Sequence, residues 1–227
     1  LIEGFRPGQL IVLSAPTGQG KTAFLQCLTE TFAANLINCV WFSYEVGIEE
    51  FLERFIEMSK LTNEIPLFYL PKKNQDSNLQ WLKTRIMESI AKFHTKIVFV
   101  DHLHFLLDMK MFEGSGNMSI VIGAVMRELK KIAIETETTI FLVSHMKKTK
   151  LEETPTIDDL RDSSFVAQES DIVMMLWRNK ERDNTNPVGY RYTNDAVLTV
   201  EKNRRTGKLG YVKLSFNNGR FIEIRKM

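Results

Sequence analysis

Five short apolar runs punctuate the chain: Leu10 to Leu13, Val40 to Tyr44, Ile97 to Val100, Ile140 to Val143 and Ile172 to Leu176. Each is nearly unbroken and bounded by polar residues, the pattern of strands buried on both faces of a parallel sheet. Between them, apolar residues recur at helical spacing. Phe24, Leu25, Leu28 and Phe32 share one helical face, and Ile122, Val125, Met126, Leu129 and Ile132 share another. Strand alternating with helix predicts an α/β fold with a mostly parallel central sheet covered by helices on both faces.

The pattern changes near the end. Val197 to Val200, Tyr211 to Phe216 and Phe221 to Ile224 alternate, joined by Gly207 and by Asn217-Asn218-Gly219. This predicts C-terminal antiparallel hairpins at a sheet edge. Asp108 to Ser119 and Lys147 to Pro155 are rich in turn-forming and charged residues and read as mobile loops of the kind that often carry function.

Composition narrows the class. With 227 residues, 44% of them hydrophobic, the chain is expected to form one soluble domain spanning 1–227. Thirty Lys and Arg against 28 Asp and Glu leave a net charge of +2, so nucleic-acid contact has to come from local clusters. Cys27 and Cys39 lack paired-ligand spacing and sit among apolar residues, which fits reduced core thiols in an intracellular compartment. No apolar stretch reaches the ~18 residues of a membrane span, so no membrane association is expected. The chain starts at Leu1 and soon enters a strand, which suggests a piece of something longer.

The chemistry begins directly after the first apolar run. Ala15-Pro16-Thr17-Gly18-Gln19-Gly20-Lys21-Thr22 places a glycine-rich turn between a strand and a helix. Such a loop aims successive N–H groups at one anion while the helix N-terminus adds partial positive charge. Lys21 is then expected on the β- and γ-phosphates of ATP or another NTP, with the Thr22 hydroxyl on Mg²⁺. Ala15 stands where the usual pattern has Gly, and the bland alternative is an ordinary glycine turn.

Asp101 ends the third apolar run, at the edge where open α/β sheets place ligands, and reads as the Mg²⁺-side acid, a helix cap or a surface acid. Glu45 holds the equivalent place after the second run and is the candidate general base. His145 follows the fourth run and is either a γ-phosphate contact or a structural histidine. His102-Leu103-His104 invites a metal reading, but without a third ligand at suitable spacing a loop or packing role is favoured. Lys147, Lys148 and Lys150 form a basic run that in isolation suggests a solvated face.

Taken together, "APTGQGKT", "VWFSYE", "IVFVDHLHFLL", "FLVSHMKK", "DLRDSSFVAQESDIVMMLWR" and "VEKNRRTGKLGYVKLSF" resemble, in that order, the ring-forming replicative DNA helicases with a RecA-like core. These are the bacterial DnaB, phage primase-helicase and mitochondrial Twinkle family. The resemblance implies a RecA-like P-loop NTPase fold forming the C-terminal motor part of a longer protein. It implies Lys21 and Thr22 on phosphates and Mg²⁺, Glu45 as catalytic base and Asp101 as the Walker B acid. His145 falls on the phosphate-sensing motif, where DnaB-type proteins usually have Gln and the phage and mitochondrial branch has His.

Gln168 matches a residue linking nucleotide state to the DNA loops. Lys202 and Arg204, otherwise a solvated hairpin, match a pair that reaches the neighbouring subunit's nucleotide. Implied partners are single-stranded DNA, gripped by Lys147, Lys148 and Lys150, further copies in a hexameric ring, and primase and polymerase. Implied locations are a bacterial or phage-infected cytoplasm or an organellar matrix. The chain departs from the family at Ser164-Phe165, where Gly and a small residue are common. The rival readings are a RecA-like assembly switch that does not unwind DNA and a small-molecule kinase.

Overall fold

The computed structural model describes residues 2–59, 66–71, 78–107, 118–146, 155–160, 163–187 and 189–224. The first five apolar runs become β1 (Leu10–Ala15), β2 (Cys39–Ser43), β3 (Ile97–Asp101), β4 (Thr139–His145) and β5 (Ile172–Arg182). These five run parallel to one another, in the order β2-β3-β4-β1-β5. The sheet continues antiparallel through β6 (Tyr190–Asn203), β7 (Gly210–Asn217) and β8 (Arg220–Glu223), as the alternating tail predicts. β6 begins well before the apolar stretch that announces it, because its early residues pair with the charged continuation of β5 from Arg178 to Arg182.

Period-2 geometry sends alternate strand residues to opposite faces, and each face has its own helices. Leu10, Val12, Val98, Val100, Ile140 and Leu142 pack with residues of α3 (Leu79–Phe93) and α4 (Met118–Thr136). Ile11, Leu13, Trp41, Phe99, Phe141 and Val143 pack with residues of α1 (Lys21–Ala34) and α2 (Ile48–Ser59), and with Phe221 of β8. The second layer is aromatic: Trp41 stacks on Phe99 with centroids 4.5 Å apart, and its indole N–H donates to Thr29 Oγ1 at 3.0 Å. Such rings add edge and stacking energy to their area burial.

Met118 and Ser119, read as loop in sequence, open α4; residues 108–117 of that segment lie outside the described residues. So do 147–154, with Lys147, Lys148 and Lys150. Pro155 is buried. A short helix, α5 (Ser163–Glu169), packs on α4 and covers the approach to β5. Gly123 of α4 makes that packing close, since a Cβ there would lie 2.7 Å from Cδ1 of Phe165. Phe165, the departure from the family pattern, therefore seats its ring against a glycine notch. Cys39 is buried, which pushes its thiol up to about 12, and the Cys27 thiol is likewise raised by burial. Neither is in a disulfide; Cys39 lies in the core and Cys27 is partly buried against it. Among the described residues no helix is long and apolar enough to cross a membrane.

Candidate nucleotide site

β1 ends at Ala15, and the chain turns through Pro16, Thr17, Gly18, Gln19 and Gly20 into α1. Thr17 and Gly18 are exposed, whereas Gln19 is buried and its side-chain oxygen accepts the Arg178 N–H at 2.7 Å. The turn is thus pinned to β5. Gly20 has φ 88°, and a Cβ there would lie 3.0 Å from the Phe221 ring. Only glycine satisfies both the backbone and that contact. Ala15 is completely buried in the sheet, so the missing first glycine leaves the turn intact.

Lys21, nearly buried, donates through Nζ to the Ala15 and Pro16 carbonyls at 3.1 and 3.3 Å. Burial lowers its pKa, opposed by the carboxylates of Asp101 and Glu45. Two candidate acids thus lie within electrostatic reach of the loop lysine. Thr22 Oγ1 donates to Asp101 Oδ2 at 2.6 Å. Asp101 is 1% exposed, and burial, with the Glu45 carboxylate adding to it, pushes its pKa up to about 6. Its other oxygen, Oδ1, is buried with no hydrogen-bond partner among the described residues. A hydroxyl and an under-satisfied carboxylate form a hard-oxygen pair, the donor chemistry that suits Mg²⁺.

Glu45 is exposed just beyond β2, and the Tyr44 N–H donates to the Asp101 carbonyl at 2.8 Å, holding the two strand ends together. His145 ends β4 beside Ala15 in register. Its ring meets that of His102 edge-on, centroids 4.2 Å apart. His102 is buried and accepts the His104 N–H through Nδ1 at 3.2 Å, the loop role favoured from sequence. Burial and the His145 and His104 rings lower its pKa to about 3, so it is neutral. Folding also brings what spacing did not reveal: Glu45, His102 and His145 each offer a ligand-type atom, all within 4.8 Å of one another.

Lys202 and Arg204 lie elsewhere. Val173 pairs with Lys202, near the start of β5, while the phosphate loop lies beyond the ends of β1 and β4. Through Val173, Lys202 is level with Val12, and Arg204, bonded to the Asp171 carbonyl, is level with Leu10, so their backbones lie three to five residues of β1 before Ala15, roughly 10–17 Å at strand rise. Lys202 Nζ donates to the carbonyls of Ala167, Gln168 (3.2 Å) and Ser170 (2.7 Å), at the C-terminal end of α5. Arg204 Nη2 donates to the Gln168 carbonyl at 2.7 Å, and its Nη1 lies 3.7 Å from Asp171. The Gln168 side chain is exposed.

Sequence reasoning missed Arg178 and Phe216. The Arg178 guanidinium lies over the Phe216 ring at 4.4 Å and near Tyr192 at 5.6 Å, beside the phosphate loop through Gln19. A cation over an aromatic face at the loop's edge makes a flat surface for a heteroaromatic base. Its parts come from β5 and β7, and only the fold makes them neighbours.

Residues 59–223 match the family model of the DnaB-like helicase C terminal domain. The replicative DNA helicase DnaB of Mycoplasma pneumoniae is 27% identical over 96% of this chain and 53% of its own length. That of Haemophilus influenzae is 25% identical over 94% and 50%. The chain therefore spans about half the length of these curated relatives. A solved DnaB-like replicative helicase, studied with its interactions with primase, superposes with a TM-score of 0.79 at 20% identity, covering 98% of this chain and 59% of that one. An ATPase-domain structure gives 0.78 at 20% identity, covering 98% and 87%. The sheet order, the phosphate loop and the match over most of the chain lead to one assignment: the chain belongs to the DnaB-like helicase C-terminal domain family.

Proposed function

We propose that this chain is the motor domain of a replicative DNA helicase that hydrolyses ATP at subunit interfaces, moves along single-stranded DNA and unwinds duplex. One observation carries the reading beyond family membership. The phosphate loop follows the C-terminal end of β1, whereas the Lys202 and Arg204 side chains are held on carbonyls that precede β5, which supports a reading in which the two do not serve the same triphosphate within one copy. A second copy supplies the pair.

In this reading Lys21 leaves the loop carbonyls for the β- and γ-phosphate oxygens, where a buried cation acts in low dielectric. Thr22 and Asp101 hold Mg²⁺, which when bound neutralises charge on the phosphate oxygens. Glu45 orients and deprotonates the attacking water. His145 contacts the γ-phosphate and reports its loss. Arg178 and Phe216 clasp the base. Lys202 and Arg204 of the neighbouring copy stabilise charge on the transferring group, a contribution of about 10³–10⁵ in turnover in related phosphoryl-transfer systems.

Coupling follows from the same contacts. Lys202 and Arg204 grip the Gln168 main chain, so their engagement next door pulls on α5 and the chain leading to it. Lys147, Lys148 and Lys150 are proposed to grip DNA phosphates. Repetition around a hexameric pore turns a weak basic run into a ring of positive potential. Primase and polymerase are proposed partners, and an intracellular, cytoplasmic setting is the proposed location.

The test is particle mass and fork unwinding by the full-length protein with Mg²⁺, ATP and single-stranded DNA. A closed ring that separates strands is expected. Assembly and hydrolysis without strand separation would instead identify an ATP-driven switch.

A further inference from the structure

His102 stands between the proposed base and the proposed sensor, and its tautomer is legible. Nδ1 accepts the His104 backbone N–H at 3.2 Å, so in the neutral ring the proton resides on Nε2. Nε2 lies 3.9 Å from Glu45 Oε2. The ring cannot easily turn, being buried, edge-on to His145 at 4.2 Å and against Phe105 at 4.8 Å. Glu45, by contrast, has a side chain 42% exposed and is free to swing inward by the ångström that separates this contact from a hydrogen bond.

From this we infer that His102 is a positioning residue: its Nε2–H captures the Glu45 carboxylate and aims it at the attacking water. The edge contact with His145 makes the capture sensitive to where the sensor ring sits. The inference deepens the proposed function and rests on Glu45 acting as base. The same three residues invite a transition-metal site, and the hydrogen bond decides against it. A metal on Nε2 requires that nitrogen unprotonated, which moves the proton to Nδ1 and sets donor against donor at the His104 N–H.

The experiment compares His102→Phe, which keeps a ring and loses the donor, with His102→Gln, whose amide N–H reaches toward the Nε2 position. Both are measured as full-length protein for DNA-stimulated turnover, KM for ATP and thermal melting. His102→Phe should lower kcat about 10- to 100-fold with KM unchanged, as expected when a reacting group is misplaced by about an ångström. His102→Gln should restore most of it, and His102→Phe should add nothing in a Glu45→Gln background.

Equal losses in both variants, a change confined to KM, or micromolar Zn²⁺ binding abolished by either variant would overturn the inference. If Glu45→Gln itself keeps full turnover, the reading of Glu45 as base fails. If Glu45→Gln is inactive while His102→Phe turns over normally, only the role of His102 fails.

Discussion

Arg204 donates to the backbone carbonyl of Gln168 at 2.7 Å, so the residue proposed to act on a neighbour's nucleotide is tied to the helix proposed to move DNA loops. Lys202 reinforces the tie through three carbonyls at the C-terminal end of that helix, where cations are favoured. Asp171 anchors the other side. Its Oδ2 accepts from the Leu10 N–H at 2.8 Å and Lys130 Nζ at 2.6 Å, and its carbonyl accepts from the Arg204 N–H at 2.8 Å.

Shared sites predict complementation. Arg204→Ala subunits and Glu45→Gln subunits are each expected to hydrolyse ATP at least 100-fold more slowly than the parent. Mixed, they should regain measurable turnover, because some interfaces then join an intact Glu45 to an intact Arg204. Titrating the mixing ratio against ATPase rate checks this. A flat, inactive response at every ratio would place both residues in one chain's site.

The buried Asp101 makes apo stability pH-dependent. Its pKa rises from 3.8 in the open chain to about 6 in the fold, so between these values the folded state binds more protons. Stability should therefore fall as pH rises through that window and stay lower above it. Asp101→Asn removes the penalty while still accepting from Thr22. It should stabilise the nucleotide-free domain at pH 7.5 by on the order of 1–3 kcal/mol and abolish Mg²⁺-dependent ATP binding. Denaturant melts at pH 4, 6 and 8 provide the measurement.

Lys21→Ala is expected to abolish turnover with little loss of fold. Although buried, the side chain makes its hydrogen bonds to the Ala15 and Pro16 carbonyls of the loop and not to the sheet beyond them. Circular dichroism and ATPase assays on the same preparation separate the two effects. Retained hydrolysis would refute the phosphate-loop assignment.

Arg178→Ala should separate base from phosphate recognition. Loss of the cation over Phe216 is worth about 1–2 kcal/mol, or roughly a tenfold weaker affinity for ATP. Inorganic tripolyphosphate, which has no base, should bind the variant and the parent equally. Equal weakening of both ligands would mean that Arg178 acts on the phosphate loop through Gln19.

Gly123→Ala should lower the melting temperature although alanine is the better helix former, because its Cβ would press into the Phe165 ring. In a Phe165→Ala background the same change should raise it. A double-mutant cycle by calorimetry reads the reversal.

Much of this was legible in advance. Unbroken apolar runs marked the parallel strands, since a strand covered on both faces has no polar side. The positions of the loop from Ala15 to Thr22, the acid ending β3 and the histidine ending β4 were readable because each follows or closes an apolar run. What stayed hidden depends on neighbours distant in sequence. His102 reads as packing until Glu45 and His145 converge on it, and Arg178 reads as a surface cation until β7 brings Phe216 beneath it. The early half of β6 was invisible because charged residues gain strand structure there from backbone pairing alone.

The two chemistries at the two ends of β1 and β5 also restrict symmetry. Copies related by a dyad can serve both nucleotides only where cradle and cations share one self-complementary patch, whereas here the cations are held on carbonyls before β5 and the cradle follows β1. A head-to-tail arrangement gives every copy one donor and one recipient face, and such contacts either close upon themselves or continue as a helix.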